Sequence, residues 1–237
     1  MANNILSKAS GSLLRHLILL LLCISLICSA SSCTKTDVAP AKKTPQNENI
    51  LRYDVNAPFT SLNPTEVYAS GSHHVFPLLY SFLVVPNTNK ELEPDLAVKW
   101  SYDPETYTWT IHLREDALFH NGQPVTSRDV IYSLNAKMAY VRPALLPLVV
   151  QMAYISDDVF SIHLTHDDAN FLKKIWWFEI IPEPDGDTID YDNHPVGSGP
   201  FKFAHRNSDK EVLLVANDDY YNGRPSLDGV AFYYQPD

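Results

Sequence analysis

The chain has 237 residues, 28 of them acidic and 18 basic, for a net charge of −10. So acidic a surface repels phosphate backbones, and no basic patch interleaved with aromatics offsets it, so nucleic-acid binding is set aside. The 45% hydrophobic content over this length is enough for a substantial core.

Taken from the start, Lys8, Arg15 and His16 precede an apolar run over residues 17–27. That run is shorter than the about 20 residues needed to cross a bilayer as a helix, and small residues follow it, so residues 1–32 read as a signal peptide. Cys23 and Cys28 follow bulky Leu22 and Ile27, which a processing site rejects. Cys33 instead follows Ala30, Ser31 and Ser32, an ending that resembles the lipobox at which bacterial lipoproteins are cut and diacylated, although Leu is usual where Ala30 stands. Cleavage there leaves one cysteine, which carries the lipid and excludes an intrachain disulfide. It also removes Lys8 and Arg15 and no acid, leaving 16 basic residues against 28 acidic and a net charge of −12. Residues 34–49, polar and broken by Pro40 and Pro45, read as a solvated tether.

The body begins with a strand over 50–55, closed by the turn Leu62-Asn63-Pro64. A helix is expected from about Ser72, with Val75, Phe76, Leu79 and Phe82 on one face and Pro77 in its first turns. Residues 97–113 form a hairpin around Asp103-Pro104-Glu105, in which Tyr107, Trp109, Ile111 and Leu113 alternate with polar residues. Asn121-Gly122 marks a tight turn. Thr126-Ser127-Arg128-Asp129 fits a capping box, opening a helix with Val130, Ile131, Leu134 and Met138 as its buried stripe. A second hairpin turns at Asp157-Asp158, and Asp167 or Asp168 caps a short helix carrying Phe171, Leu172, Ile175 and Trp176. After the glycine-rich turn 194–200, three strands complete an α+β pattern with more strand than helix.

The candidates for chemistry have simpler readings. Gly197-Ser198-Gly199 lacks the Gly-x-Ser-x-Gly spacing of a nucleophile elbow and reads as a tight turn. His73-His74, and His163 with His166, lack partners at metal-ligand spacing, so no metal and no cofactor is expected. The pairs Asp157-Asp158, Asp167-Asp168 and Asp218-Asp219 sit at turns or helix starts, where Asp bonds the local backbone, and no general acid and base stand out. Trp176-Trp177-Phe178 fills a core more readily than it forms a sugar-stacking platform. By residue chemistry alone the reading stops at a tethered, acidic, α+β binding domain. A surface interaction lipoprotein and a carbohydrate-active enzyme remain as alternatives.

Several motifs carry a resemblance. Leu92-Glu93-Pro94-Asp95-Leu96-Ala97, Trp100, Tyr107-Thr108-Trp109-Thr110-Ile111-His112-Leu113-Arg114, Phe119-His120-Asn121-Gly122-Gln123-Pro124-Val125-Thr126 and Asp129-Val130 occur in that order. Pro195-Val196-Gly197-Ser198-Gly199-Pro200-Phe201, Asn217 and Tyr220-Tyr221-Asn222-Gly223-Arg224-Pro225 follow. Together they resemble the extracellular solute-binding proteins of family 5, the oligopeptide-, dipeptide- and nickel-type receptors of ABC importers. The resemblance implies a periplasmic-binding-protein-like, type II clamshell. Residues 50–83 and 191–237 would supply first-lobe segments and 84–190 an extra α+β subdomain, with the second main lobe outside this sequence. It further implies an ABC permease and ATPase as partners, no catalysis, and a peptide ligand, although nickel-complex, sugar and opine receptors share these motifs. Tyr68, Ala69, Ser70 and Gly71 match the family segment whose backbone pairs with an extended peptide. With that edge alone offering a few hydrogen bonds of about 0.5–1.5 kcal/mol each, weak peptide binding is expected.

Overall fold

The computed structural model describes residues 49–66, 71–184 and 190–236. The signal peptide, Cys33 and the tether lie outside them, as do Tyr68, Ala69 and Ser70.

In chain order the strands are β1 (Ile50–Val55), β2 (Ser81–Phe82), β3 (Val84–Pro86), β4 (Leu92–Pro94), β5 (Ala97–Asp103) and β6 (Thr108–Leu113). They continue as β7 (Val149–Ser156), β8 (Val159–Leu164), β9 (Glu179–Ile180), β10 (Phe201–Asn207), β11 (Glu211–Ala216) and β12 (Gly229–Tyr234). Two four-stranded sheets carry the architecture, ordered β1-β12-β11-β10 and β5-β6-β8-β7, and two short ribbons pair β2 with β9 and β3 with β4.

The second of these sheets is antiparallel throughout and follows the period-2 pattern of its sequence. Trp109, Ile111 and Leu113 of β6 and Phe160, Ile162 and Leu164 of β8 all point into one core, with Trp109 opposite Ile162 and Ile111 opposite Phe160. Across that face lies the long helix Ser127–Tyr140, which buries Val130, Leu134 and Met138. Its capping box forms as expected: the Asp129 carboxylate accepts from the Thr126 backbone N–H at 2.8 Å and from the Thr126 hydroxyl at 2.6 Å. Tyr107 departs from the expected alternation. It occupies the hairpin turn at a left-handed φ of 53°, half exposed, and β6 starts at Thr108.

The first sheet surrounds a separate core of Val55, Phe59, Leu62, Val75, Phe76, Leu79, Tyr80, Val212, Leu214, Val230 and Phe232. Here the expected helix is much shorter than its apolar spacing suggests. A 3₁₀ turn, Gly71–His74, leads into a single helical turn, Phe76–Leu79, and Phe82 belongs to β2. The cause is tertiary. The Leu79 carbonyl accepts from the Gly199 backbone N–H at 3.1 Å and the Phe82 N–H donates to Asp95 Oδ2 at 2.8 Å, so both groups that would extend the helix are taken. Asp168 is also displaced from its expected role. The residue ahead of the short helix Leu172–Ile175 is Phe171, while Asp168 organises the preceding turn by accepting from the Asn170 N–H at 3.1 Å.

Candidate functional site

β1 and β12 run parallel and in register from Ile50 opposite Gly229 to Val55 opposite Tyr234, so their carboxyl ends open at the same place. In α/β sheets that end is where ligands lodge, because the loops leaving it diverge. The loop leaving β1 is fastened on several sides. Arg206 donates to the carbonyls of Phe59 and Thr60, the Leu62 N–H donates to Asp192 Oδ1 at 2.8 Å, and the Tyr80 hydroxyl donates to the Leu62 carbonyl at 2.8 Å. Buried Ser72 reaches the Ser61 carbonyl at 2.5 Å.

Of the four residues singled out for peptide pairing, Gly71 is described, and it closes this platform. Its N–H donates to the Pro58 carbonyl at 3.0 Å, and a Cβ in its place would stand 2.3 Å from the Ala57 carbonyl oxygen. Only a residue without a side chain fits so close to another backbone. Beside it His74 lies against Tyr53 of β1, ring centroids 5.6 Å apart, and His73 against Phe76 at 5.9 Å.

A second constellation, unreadable from composition or periodicity, ties the two sheets together. Asp95, at the end of β4, accepts from the Tyr221 hydroxyl at 2.5 Å as well as from Phe82. That hydroxyl lies 2.8 Å from Ser81 Oγ, which donates to the Ser198 carbonyl at 2.9 Å. The Arg114 guanidinium covers the Tyr221 ring at 3.9 Å and donates to Asn222 Oδ1 at 3.0 Å. Burial raises the Asp95 pKa, against the lowering pull of its bond from Tyr221, and burial likewise raises that of Tyr221.

His120 completes the junction from the Phe119-His120-Asn121-Gly122 turn. Its backbone N–H donates to the Gly197 carbonyl at 2.7 Å, its Nδ1 accepts from the Gly197 N–H at 3.3 Å, and its Nε2 lies 3.1 Å from the Gly199 carbonyl. One nitrogen accepting and the other donating is the pattern of a neutral ring. Burial pushes its pKa down to about 4. Gly197 and Gly199 allow the close approach: a Cβ on Gly197 would lie 1.9 Å from the Leu79 carbonyl oxygen. The glycine-rich segment, read from the sequence as a tight turn, is thus a packing device. Asp95, Arg114 and His120 fall within one stretch of the chain and Tyr221 lies about a hundred residues further on, and the signal that gathers them is the motif set itself.

Lys137 and Glu179 form a buried ion pair beneath the long helix, with burial lowering the lysine pKa and raising that of the glutamate. Among the described residues no group of three or more His, Cys, Asp or Glu side chains is placed to hold a metal ion, and His163 and His166 are both exposed. The paired aspartates accept mostly from side chains rather than from the local backbone: Asp158 from Ser156 at 2.6 Å, Asp157 from Tyr154 at 2.9 Å and Asp167 from Tyr102 at 2.7 Å, while Asp168 does accept from the nearby Asn170 N–H. No described helix is long and apolar enough to cross a membrane.

The family model for bacterial extracellular solute-binding proteins, family 5, middle part, matches residues 91–237. The chain belongs to this family. Among similar curated proteins, the oligopeptide-binding protein AppA of Bacillus subtilis is 25% identical over 237 residues, covering 92% of this chain and 43% of AppA. The HTH-type transcriptional regulator SgrR of Pectobacterium atrosepticum is 28% identical over 202 residues, covering 81% of this chain and 34% of SgrR. The chain therefore spans between a third and under half of the length of these relatives. The structure of AppA in complex with a nonapeptide superimposes with a TM-score of 0.70 at 25% identity, covering 80% of this chain and 41% of AppA. NikZ from Campylobacter jejuni, in complex with Ni(L-His), superimposes at 0.69 and 22% identity, covering 78% of this chain and 39% of NikZ, a likeness of fold alone. The architecture is that of a type II periplasmic binding protein, and family 5 is a family of binding proteins.

Proposed function

We propose that this family 5 protein is the extracytoplasmic, substrate-binding component of a peptide-type ABC importer. It would be anchored through a diacylated Cys33 and would capture oligopeptides or dipeptides for a permease and its ATPase. The observation that carries the peptide reading is the fastened platform at the carboxyl ends of β1 and β12, against which Gly71 packs with no room for a side chain. Tyr68, Ala69 and Ser70 directly precede Gly71 in the sequence, and in this reading an extended ligand backbone pairs main chain to main chain with that segment. AppA, captured with a nonapeptide, is a relative in which a peptide is the ligand. In this reading residues 50–83 and 191–237 act as first-lobe segments and residues 84–190 as the subdomain beside them.

Hydrogen exchange tests the ligand class. A mixed library of short peptides should slow exchange at residues 68–70, and the same peptides N-methylated on alternate backbone amides should not. Equal protection by both libraries, or none by either, refutes backbone pairing. Anchoring is tested separately by metabolic labelling with a fatty-acid probe, which should mark the chain and fail to mark Cys33→Ala.

A further inference from the structure

A groove of about 280 Å³ runs between the long helix and β7, lined by Arg128, Ile131, Tyr132, Asn135, Met152, Tyr154 and Glu183. The four helical residues are spaced i, i+3, i+4 and i+7, one stripe of the helix, and Met152 and Tyr154 are alternate residues of one strand face. The groove shares no residue with the Gly71 platform.

Its two charges are held in place, and Arg128 is engaged by Tyr154 alone of the groove residues. The Arg128 guanidinium lies 4.1 Å from the centre of the Tyr154 ring, and that ring is itself steadied by its hydroxyl donating to Asp157 at 2.9 Å. Stacking fixes the plane of a guanidinium, and beyond its hydrogen bond to the Tyr154 hydroxyl the remaining N–H donors can take a carboxylate. The Glu183 backbone N–H donates to Asp129 Oδ1 at 2.8 Å, which ties this exposed residue to the helix start. Among the described residues, neither Arg128 nor Glu183 has an ion-pair partner. Ile131 and Met152, a rigid and an adaptable apolar side chain, line the same groove, as does Asn135. The space falls just below the about 300–1,000 Å³ of drug-sized ligand sites, so its occupant is small.

We propose that this groove is a second ligand site, which takes a free amino acid with an apolar side chain. The α-carboxylate would meet Arg128, the α-ammonium Glu183, and the side chain Ile131 and Met152. The site is independent of the peptide reading, and being open it should bind weakly, with a dissociation constant on the order of 1 mM.

The chain has three methionines, Met1, Met138 and Met152, so a full-length sample with ¹³C-methyl methionine gives an almost assigned spectrum. Met138 is fully buried in the core and serves as the control. Titration with L-leucine to about 20 mM should move the Met152 methyl saturably and leave Met138 still. Arg128→Gln and Glu183→Gln should each weaken the effect at least about tenfold, as should leucinamide or 4-methylpentanoate, which lack one charge each. Both substituted residues are exposed, and an unmoved Met138 signal certifies that each variant is folded. No saturable shift at Met152, equal response to the singly charged analogues, or unchanged binding by both folded variants overturns the proposal.

Discussion

Tyr221→Phe deletes one hydroxyl and keeps the ring under Arg114, so it removes the bond to Asp95 at 2.5 Å together with the 2.8 Å contact to Ser81 Oγ, and of these two partners only the carboxyl changes charge with pH. Asp95 is only 8% exposed, and without that donor one of its carboxylate oxygens is buried with less to satisfy it. A hydrogen bond to a charged group contributes about 1.5–3 kcal/mol, against about 0.5–1.5 kcal/mol for one between neutral groups. The size of the loss must therefore depend on whether Asp95 is ionised. Burial raises its folded-state pKa above the ordinary 3.8, so its favourable contribution is complete below that value and is lost as pH rises through the raised folded value. The Tyr221 hydroxyl opposes the rise, and removing it pushes the carboxyl further up. Across a pH series, urea denaturation of the parent and Tyr221→Phe should then differ by about 1.5–3 kcal/mol at the alkaline end, where the carboxyl is ionised, and by about 0.5–1.5 kcal/mol at pH values below its ordinary 3.8, where it is protonated. Other acid-sensitive groups are common to both proteins and cancel in the difference. A loss of equal size at the two ends of the series would refute the argument.

Gly197→Ala places a methyl 1.9 Å from the Leu79 carbonyl oxygen and should lower stability by about 3 kcal/mol or more, read as a fall in Tm; an unchanged Tm contradicts the packing role. His120, pushed down to about 4 from 6.5, contributes stability that is present above 6.5 and lost as pH falls through about 4. This amounts to about 3 kcal/mol in all. Its ring resonances should accordingly not titrate above pH 5, and a midpoint near 6.5 would show the ring is not held neutral by burial. Lys137→Met strands a buried Glu179 and should lose about 3–5 kcal/mol, most of which Lys137→Met with Glu179→Leu recovers; a double variant as unstable as the two single losses summed would show the ion pair has no such coupling.

The sequence by itself determined the elements whose signals are local. The capping box at Thr126 and Asp129 sets a helix start within four residues, and the alternation of Trp109, Ile111 and Leu113 sets which face of β6 is buried. The ordered motifs also pointed to family 5, because each motif is a short run legible on its own. Tertiary structure decided what depends on partners distant along the chain. The helix expected from Ser72 to Phe82 stops at Leu79 because the Gly199 N–H and Asp95 take the backbone groups that would continue it. Gly71, legible as a small residue before a helix, is explained only by the Ala57 carbonyl oxygen, 2.3 Å from where a Cβ would stand. The junction of Asp95 with Tyr221, 126 residues apart, leaves no periodic trace, since hydrogen bonds between side chains impose no spacing on the sequence that supplies them. The parallel pairing of β1 with β12, which makes the candidate site, is of the same kind: each strand is local, and their adjacency is a property of the folded chain.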